Sequence, residues 1–354
     1  MSYELGFNAI ILNSYFLIRL CSQQRLFYRK IMEDNQIYNT IIIGSGPAGL
    51  TAALYAARAE LNPLLFAGLT WGGQLMLTSE VENYPGFPEG IMGPELMDKM
   101  RKQAEKFGTE IIDVNVTSLD LKDQPFTVKT EKGDFQAKTI IIATGADANW
   151  LGLPNEQRLR GKGVSACATC DGFFFKDKEV VVIGGGDSAM EEALFLTKFA
   201  SKVTILHRRE EFRASKIMLK RAQENSKIVF MTNAQVVDVL GENFVEGVKI
   251  SAKGGTASGG KDTDSGEEKI INCQGYFAAI GHTPATKIFS EAGVEVDQKG
   301  YIVVKNHTRT NIEGVFVAGD VNDPRYRQAV SAAGMGCMAA LDVEKYLASS
   351  EEGK

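Results

Sequence analysis

Two glycine-rich loops, each between a short apolar strand and a helical pattern, constrain this chain more than any other feature. The first follows the β-branched run 40–43 and reads GSGPAG at 44–49, before an apolar helical pattern over 50–58. The second follows the run 180–183 and reads GGGDSA at 184–189. In such units the loop amides and the helix dipole face a pyrophosphate. The sequence therefore predicts an α/β protein that binds two dinucleotides.

The glycines of the first loop have distinct expected tasks. Gly44 permits the tight turn, Gly46 leaves room for the pyrophosphate, and Gly49 lets the helix approach the strand. A glycine loop without a ligand is the alternative interpretation. For the two loops together, the predicted cofactor-binding residues are Gly44, Ser45, Gly46, Pro47, Ala48, Gly49, Gly184, Gly186, Asp187, Ser188 and Ala189.

The kind of dinucleotide at the second loop is indicated by the end of the next strand. NAD sites carry an acidic residue there for the ribose 2'-hydroxyl. Here the strand-like run 203–206 is followed by His207, Arg208, Arg209 and, slightly later, Arg213. Arginines suit a 2'-phosphate, because charge-assisted hydrogen bonds to phosphate are strong. We therefore predict NADPH at this loop, with a solvated basic patch as the alternative.

Around the first loop, two further apolar strands end in glycine turns, at 143–145 and 319–320. The corresponding strand 63–66 ends in Ala67 and Gly68, with no acidic residue. This arrangement resembles the disulfide reductases that bind two dinucleotides, in which such turns close over FAD. The resemblance therefore implies FAD at the first loop.

A cysteine pair gives the chain its expected chemistry. Cys167 and Cys170 have the spacing of a reversible disulfide and stand shortly before the second glycine loop. A helix start at this place would lower the thiol pKa and favour attack as thiolate. Five cysteines in all are too few and too scattered for a secreted disulfide framework, and only three histidines are present. We predict a redox pair and no metal site.

With the Cys-Ala-Thr-Cys-Asp motif between the two loops, residues 36–347 resemble the low-molecular-weight, NADPH-dependent thioredoxin reductases. Family motifs follow in order at 72–75, 81–86, 281–284 and 327–329. The resemblance implies two cofactors, FAD and NADPH. It also implies flavin contacts at Gly73, Gln74, Leu75, Asn83, Ala143, Thr144, Gly145, Gly319, Asp320, Arg327, Gln328 and Ala329.

The resemblance further implies a fold of two Rossmann-like domains, with the NADPH domain inserted into the FAD domain. We predict an N-terminal extension at 1–35 and the two parts of the FAD domain at 36–146 and 282–347. The NADPH domain with the cysteine pair is expected at 147–281. Residues 348–354 would form a C-terminal tail.

In the implied mechanism, electrons pass from NADPH through the flavin to the Cys167–Cys170 disulfide and on to thioredoxin. Cys170 would face the flavin, Cys167 would attack the substrate disulfide, and Asp171 would act as acid and base. For Asp171, a helix cap is the alternative. We expect a structural hydrogen-bonding role for His282. Thioredoxin is expected as a separate chain, and a homodimer is implied.

Two other functions remain open from the sequence. The same centre could reduce a peroxiredoxin or another dithiol protein, or the chain could be a non-catalytic pyridine-nucleotide sensor. A net charge of -5 with scattered lysine and arginine gives no support for nucleic-acid binding.

Two segments stand outside the resemblance. Residues 1–31 contain apolar stretches shorter than the roughly 20 residues of a membrane span, so we expect no membrane anchor. They suggest either an organelle transit peptide, mitochondrial for example, or a dispensable stretch before Met32 in a cytoplasmic protein. The Gly/Ser/Asp-rich stretch 253–268 indicates a flexible hairpin excursion. Its near P-loop at 255–261 lacks the Ser or Thr that would hold magnesium.

Overall fold

The structure is a computed structural model that describes residues 36–78, 80–252 and 267–352. The predictions about the N-terminal extension and about the near P-loop lie outside these residues.

The helices and strands alternate along much of the chain. The strands are β1 (Ile37–Ile43), β2 (Leu64–Phe66), β3 (Glu80–Val81), β4 (Ile91–Met92), β5 (Glu110–Ile112), β6 (Val116–Asp120), β7 (Phe126–Thr130), β8 (Gly133–Ile142), β9 (Ala146–Ala148), β10 (Val164–Ser165), β11 (Glu179–Ile183), β12 (Lys202–Leu206), β13 (Ile228–Met231), β14 (Ala234–Leu240), β15 (Gly247–Ala252), β16 (Glu267–Asn272), β17 (Gly275–Ala278), β18 (His282–Pro284) and β19 (Val315–Val317). The helices are α1 (Pro47–Arg58), α2 (Gly93–Lys106), α3 (Pro154–Arg158), α4 (Ala168–Asp171), α5 (Asp187–Leu196), α6 (Lys216–Gln223), α7 (Lys287–Glu291) and α8 (Ala329–Glu352). Short 3-10 helices lie at Gly73–Leu77 and Gly172–Phe175.

The first sheet carries the first glycine loop. Its order is β5-β2-β1-β8-β7-β6, with β19 also paired to β8. Strands β5, β2, β1, β8 and β19 are parallel, whereas β7 and β6 form an antiparallel extension. The β-branched run of β1 is buried on both faces, as expected for a central parallel strand. The α/β prediction is thus confirmed for this part of the chain.

Helix α1 begins directly at the glycine loop and packs against the long C-terminal helix α8. Pro47 stands in its first turn, where a missing amide hydrogen costs nothing. The expected start at residue 50 is therefore wrong by three residues. At Gly336 of α8, a Cβ would lie 2.1 Å from the carbonyl oxygen of Ala48. Glycine at 336 is thus what lets α8 approach the start of α1 so closely.

The second sheet carries the second glycine loop and is entirely parallel, in the order β10-β17-β11-β12-β13. An antiparallel sheet, β14-β15-β16, lies beside it. The flanking strands β15 and β16 pair antiparallel, as a hairpin requires, and β16 already includes residues 267 and 268 of the predicted excursion. The rest of that excursion, 253–266, lies outside the described residues.

Strands β9 and β18 join the two sheets as neighbouring antiparallel connections. Ala146 pairs with Pro284, and Asp147 with Thr283. The chain therefore leaves the first sheet and returns to it side by side. The domain boundaries themselves stay a prediction. Within the described ranges, no helix has the length and hydropathy that crossing a membrane requires.

Candidate active site

A cavity of about 1240 Å³ brings together most of the residues predicted for the first dinucleotide and the cysteine pair. It is lined by the predicted residues Gly44, Ser45, Gly46, Pro47, Ala48, Gly73, Gln74, Leu75, Asn83, Ala143, Thr144, Gly145, Cys167, Cys170, Asp171, Ser188, Asp320, Arg327, Gln328 and Ala329.

Two glycines predicted for the first dinucleotide, Gly49 and Gly319, are outside that lining. A Cβ on Gly49 would lie 1.8 Å from the carbonyl oxygen of Gly44, and one on Gly319 would lie 2.8 Å from the Cβ of Ala48. Both therefore serve the close approach of backbone segments beneath the cavity.

The wall formed by the first glycine loop fits a dinucleotide. A Cβ on Gly46 would meet no atom within 4 Å, so this face of the loop is open to the cavity. The Ser45 hydroxyl donates to the carbonyl oxygen of Ala67 at 2.8 Å and accepts from the amide of Gly72 at 2.9 Å. Ser45 therefore holds the loop in place, and its hydroxyl both donates to and accepts from backbone groups.

Asp320 provides the clearest test of whether the cavity suits FAD. Its Oδ1 is buried with no hydrogen-bond partner among the described residues, a costly state for a carboxyl oxygen. Burial first, and then the charge of Asp323, raise its pKa to about 6 against the opposing effect of Arg327. A hydroxyl-bearing chain would satisfy this oxygen. The residues present thus fit the ribityl group that the resemblance implies.

At the ends of β2 and β5, the cavity is lined by residues that were not predicted to contact a cofactor. Gly68, Thr70 and Asn115 line it, and Asn115 Oδ1 accepts the amide hydrogen of Leu69 at 3.0 Å. Asn115 follows β5, the parallel neighbour of β2. A signal was therefore available, because the ends of parallel neighbours meet at one edge of a sheet.

Cys167 and Cys170 form a disulfide at the start of α4, with an S–S distance of 2.06 Å. The predicted disulfide and the predicted helix start are both confirmed. The amide of Cys170 donates to Cys167 Sγ at 3.2 Å, and Thr169 Oγ1 lies 3.3 Å from the same sulfur. Hydrogen-bond donors therefore converge on Cys167, which would stabilise a thiolate there.

Gln328, at the start of α8, reaches across to the disulfide. Its Nε2 lies 3.9 Å from each of the two sulfurs and donates to Thr169 Oγ1 at 3.2 Å. The segment that the resemblance assigns to the flavin is thus in contact with the cysteine pair.

Two carboxyl groups lie beside the cysteine pair. Burial raises the pKa of Asp171, while a hydrogen bond from Ser165 opposes the shift. Glu192, on α5, was not predicted. Its Oε2 is enclosed with no hydrogen-bond partner among the described residues, and its carboxyl accepts a hydrogen bond from the Ala168 backbone. Burial raises its pKa to about 8 against the charge of Arg327. Helical spacing from buried Ala189 and Leu196 could have placed it on the inner face.

His282 lies at the return connection and interacts with Arg327, whose Nη1 is 2.5 Å from the His282 Nδ1. Since arginine can only donate, Nδ1 accepts and the ring is neutral. Burial, followed by the charge of Arg327, lowers its pKa to about 4. These contacts fit the structural hydrogen-bonding role expected from the sequence.

The residues predicted for NADPH form a separate group outside the cavity, apart from Ser188. Arg208, Arg209 and Arg213 extend into solvent from the turn after β12. Asp187 Oδ1 accepts the amide hydrogen of Ser215 at 2.7 Å, which fixes the glycine loop relative to α6.

His207 occupies a different place from the three arginines. It is buried under the loop, stacks on Phe212 with ring centroids 5.0 Å apart, and donates from Nε2 to the Glu211 carbonyl oxygen at 3.0 Å. A Cβ on Gly185 would lie 2.3 Å from its ring. His207 therefore supports the loop from below, which explains the middle glycine that the sequence analysis left unassigned.

Known proteins match nearly all of the described chain. The family model described as Pyridine nucleotide-disulphide oxidoreductase matches residues 38–336. A thioredoxin reductase of Mycolicibacterium smegmatis is 52% identical over 316 residues, which cover 89% of this chain and 98% of that protein. A crystal structure of thioredoxin reductase from Streptococcus pyogenes has a TM-score of 0.83 at 41% identity and covers 89% of this chain and 100% of its own. The Lactococcus lactis thioredoxin reductase in its FR conformation, also at 41% identity, has a TM-score of 0.57, with 88% and 99% covered.

Proposed function

Since this chain belongs to the pyridine nucleotide-disulphide oxidoreductases, and among them to the thioredoxin reductases, we propose that it reduces the disulfide of a thioredoxin with electrons from NADPH. The observation that carries this proposal is the Cys167–Cys170 disulfide lying in the wall of the cavity that fits FAD. FAD, when bound, would supply a ring able to accept hydride from a nicotinamide and pass two electrons to a disulfide.

The asymmetry of hydrogen bonds around the cysteines supports their separate roles. Cys167 receives the Cys170 amide and lies beside the Thr169 hydroxyl, so it is the sulfur better stabilised as thiolate. We assign to Cys167 the attack on the substrate disulfide, which forms a mixed disulfide and releases one substrate sulfur. Cys170 then attacks Cys167, which restores the internal disulfide and frees the second substrate sulfur.

Asp171 is our candidate for the acid that protonates the departing substrate sulfur. Its half-buried carboxyl lines the cavity beside the cysteines, and its raised pKa lets it hold a proton closer to neutral pH than an ordinary aspartate. The hydrogen bond from Ser165 would orient the Asp171 carboxyl.

For the cofactors, we propose that the cavity-lining residues of the first loop and of the flavin motifs hold FAD. The second loop would hold the NADPH pyrophosphate, with Arg208, Arg209 and Arg213 on the 2'-phosphate. The support is their shared place after β12, where a charge-assisted contact to phosphate is geometrically open.

We also propose a homodimer, in keeping with the family resemblance. Exposed apolar side chains on α1 and α8, including Tyr55, Met338 and Leu341, support a subunit interface on these two helices. A cytoplasmic location is proposed because the free thiols of Cys273 and Cys337 suit a reducing compartment.

The test is NADPH oxidation by the purified enzyme with purified thioredoxin as acceptor. We expect steady turnover in the wild type, and less than about 1% of it in Cys167→Ser or Cys170→Ser, since thiol–disulfide exchange needs both sulfurs. Both variants should retain flavin and accept hydride from NADPH in a single turnover.

Three results would separate the alternatives. Turnover with a peroxiredoxin but not with thioredoxin would favour that acceptor, and NADPH binding without any turnover would indicate a sensor. Unchanged thioredoxin reduction in either serine variant would refute the assigned chemistry.

A further inference from the structure

We propose that the side-chain amide of Gln328 docks the disulfide-bearing helix α4 on the flavin cavity, so that Gln328 is a positioning residue for the disulfide. This inference rests on the proposed function, because it concerns how the disulfide is held where it can be reduced.

The first support is the set of contacts that Gln328 makes with α4. Its Nε2 donates to Thr169 Oγ1 at 3.2 Å, and Thr169 Oγ1 in turn lies 3.3 Å from Cys167 Sγ. Since Thr169 can accept from Gln328 and donate to the sulfur, the three groups form a short relay. The same amide nitrogen is 3.9 Å from both sulfurs. One side chain thus spans the whole cysteine pair.

The second support is the way in which the amide is held on the opposite side. Its Oε1 accepts from Asn83 Nδ2 at 3.4 Å, and Nε2 also lies 3.1 Å from the carbonyl oxygen of Tyr326 and 3.0 Å from that of Arg327. These groups all belong to the part of the chain that lines the flavin cavity. The amide is therefore oriented by groups outside α4.

The same contacts make the docking reversible. An amide nitrogen has two hydrogens, and two carbonyl oxygens of its own segment stand within reach, so departure of α4 leaves no buried donor unsatisfied. A single neutral hydrogen bond shifts an equilibrium by roughly two- to tenfold. That strength favours docking without preventing release.

The experiment follows the two half-reactions of the FAD-loaded enzyme separately by anaerobic stopped flow. In Gln328→Ala, we expect transfer of electrons to the internal disulfide to slow by roughly two- to tenfold, from loss of one hydrogen bond. Flavin reduction by NADPH should be at least as fast as in wild type, because release of α4 is made easier. Thr169→Val removes the acceptor of the same hydrogen bond. It should likewise slow electron transfer to the disulfide without slowing flavin reduction.

A double variant distinguishes a shared contact from two separate effects. If the two side chains act through their mutual hydrogen bond, Gln328→Ala/Thr169→Val should be no slower than the slower single variant. Val330→Ala, at an exposed position on the same helix, is the matched control and should leave both half-reactions unchanged. The FAD dissociation constant, measured by flavin fluorescence, should stay within about twofold of wild type in Thr169→Val and Val330→Ala. In Gln328→Ala it should rise by no more than about tenfold, the effect of one lost hydrogen bond, so both half-reactions are measured at saturating FAD.

The proposal is overturned if Gln328→Ala slows both half-reactions and weakens FAD while Thr169→Val has no effect. Gln328 would then be a flavin ligand only. It is also overturned if the two substitutions have additive effects. Failure of the wild type to reduce thioredoxin would refute the proposed substrate instead, because neither half-reaction here involves thioredoxin.

Discussion

Glu192 lies between the cysteine helix α4 and the helix α5 that follows the second glycine loop. Its carboxyl accepts a hydrogen bond from the Ala168 backbone, and its Oε2 is enclosed with no hydrogen-bond partner in the part of the chain that the structure describes. Burial raises its pKa from the ordinary 4.5 to about 8. Between these values the folded protein holds a proton that the unfolded chain has released. The free energy of unfolding must therefore fall as pH rises through this interval.

Glu192→Gln should remove that dependence, since an amide stays neutral and can still accept from the Ala168 backbone. We expect equal stability of variant and wild type near pH 4. The variant should gain about 1 kcal/mol or more above pH 8, roughly 2 °C in Tm. Thermal unfolding of the FAD-loaded proteins at a series of pH values measures this. Glu313→Gln, at an exposed position before β19, is the control, and a Tm difference independent of pH would contradict the assignment.

Single residues show what the sequence can and cannot specify. Spacing in the sequence was enough to predict the roles of Cys167 and Cys170. The same holds for the glycines of the first loop. Gln328 was recognisable only as a flavin contact, because its partner Cys170 stands 158 residues earlier in the chain. Contacts across such a separation depend on how whole elements meet, and no local pattern records that.

At the scale of elements, we propose the turn after β12 as the main determinant of cofactor choice. Arg208 and Arg209 project into water, whereas His207 is buried beneath Gly185 and supports the turn. The sequence predicted all three as cofactor contacts. It could not distinguish them, because the direction of a side chain just past a strand end depends on the packing below it. The exposed arginines remain the candidates for phosphate binding.

Replacing both arginines, as Arg208→Gln/Arg209→Gln, should raise the KM for NADPH by about 100-fold. This is the lower end of what two charge-assisted hydrogen bonds supply, since both side chains are exposed to water and salt. The KM for NADH should change by less than about threefold, since NADH lacks the 2'-phosphate. Steady-state kinetics with the two cofactors measures this.

Lys220→Gln, which removes an exposed charge from the following helix α6, is the matched control and should affect neither cofactor. An equal rise of KM for NADPH and NADH in the arginine variant would show that the arginines support the fold rather than bind phosphate.

The elements next to the glycine loops were predicted to within three residues, because strand, loop and helix there follow one another without a break. The antiparallel strands β6 and β7 were not predicted. Their pairing with β8 depends on neighbours brought together by the sheet, rather than on a strong local pattern.

At the scale of the whole molecule, the structure holds the disulfide at the flavin cavity and leaves the second dinucleotide loop largely outside it. Of the residues predicted for NADPH, only Ser188 lines the cavity. Two single strands, β9 and β18, connect the sheets. Two solved relatives at the same 41% identity and similar coverage have TM-scores of 0.83 and 0.57. This spread supports more than one arrangement of the two sheets in the family.

We therefore predict that the part of the chain bearing the cysteines and the second loop rotates about β9 and β18 during turnover. The disulfide and the nicotinamide need the same place at the cavity, so they must occupy it in turn. A link between Glu191→Cys, on α5 of the part that carries the second loop, and Arg325→Cys, in the segment before α8, should hold the arrangement seen here, because both residues line the cavity. A short bismaleimide can be applied to the oxidised enzyme, in which Cys167 and Cys170 are paired and unreactive, in a background in which Cys21 and the partly exposed free thiol Cys337 are replaced by Ser.

In the linked enzyme, NADPH-driven thioredoxin reduction should fall by at least about 100-fold, because the nicotinamide can no longer reach the cavity. Electron transfer from chemically reduced flavin to the internal disulfide should persist, since the disulfide is already docked. The same double variant treated with N-ethylmaleimide, which modifies both new cysteines without joining them, shows the effect of the modifications alone. If the linked enzyme cycles at the rate of that control, the two parts need not move relative to each other, and a single arrangement must serve both electron transfers.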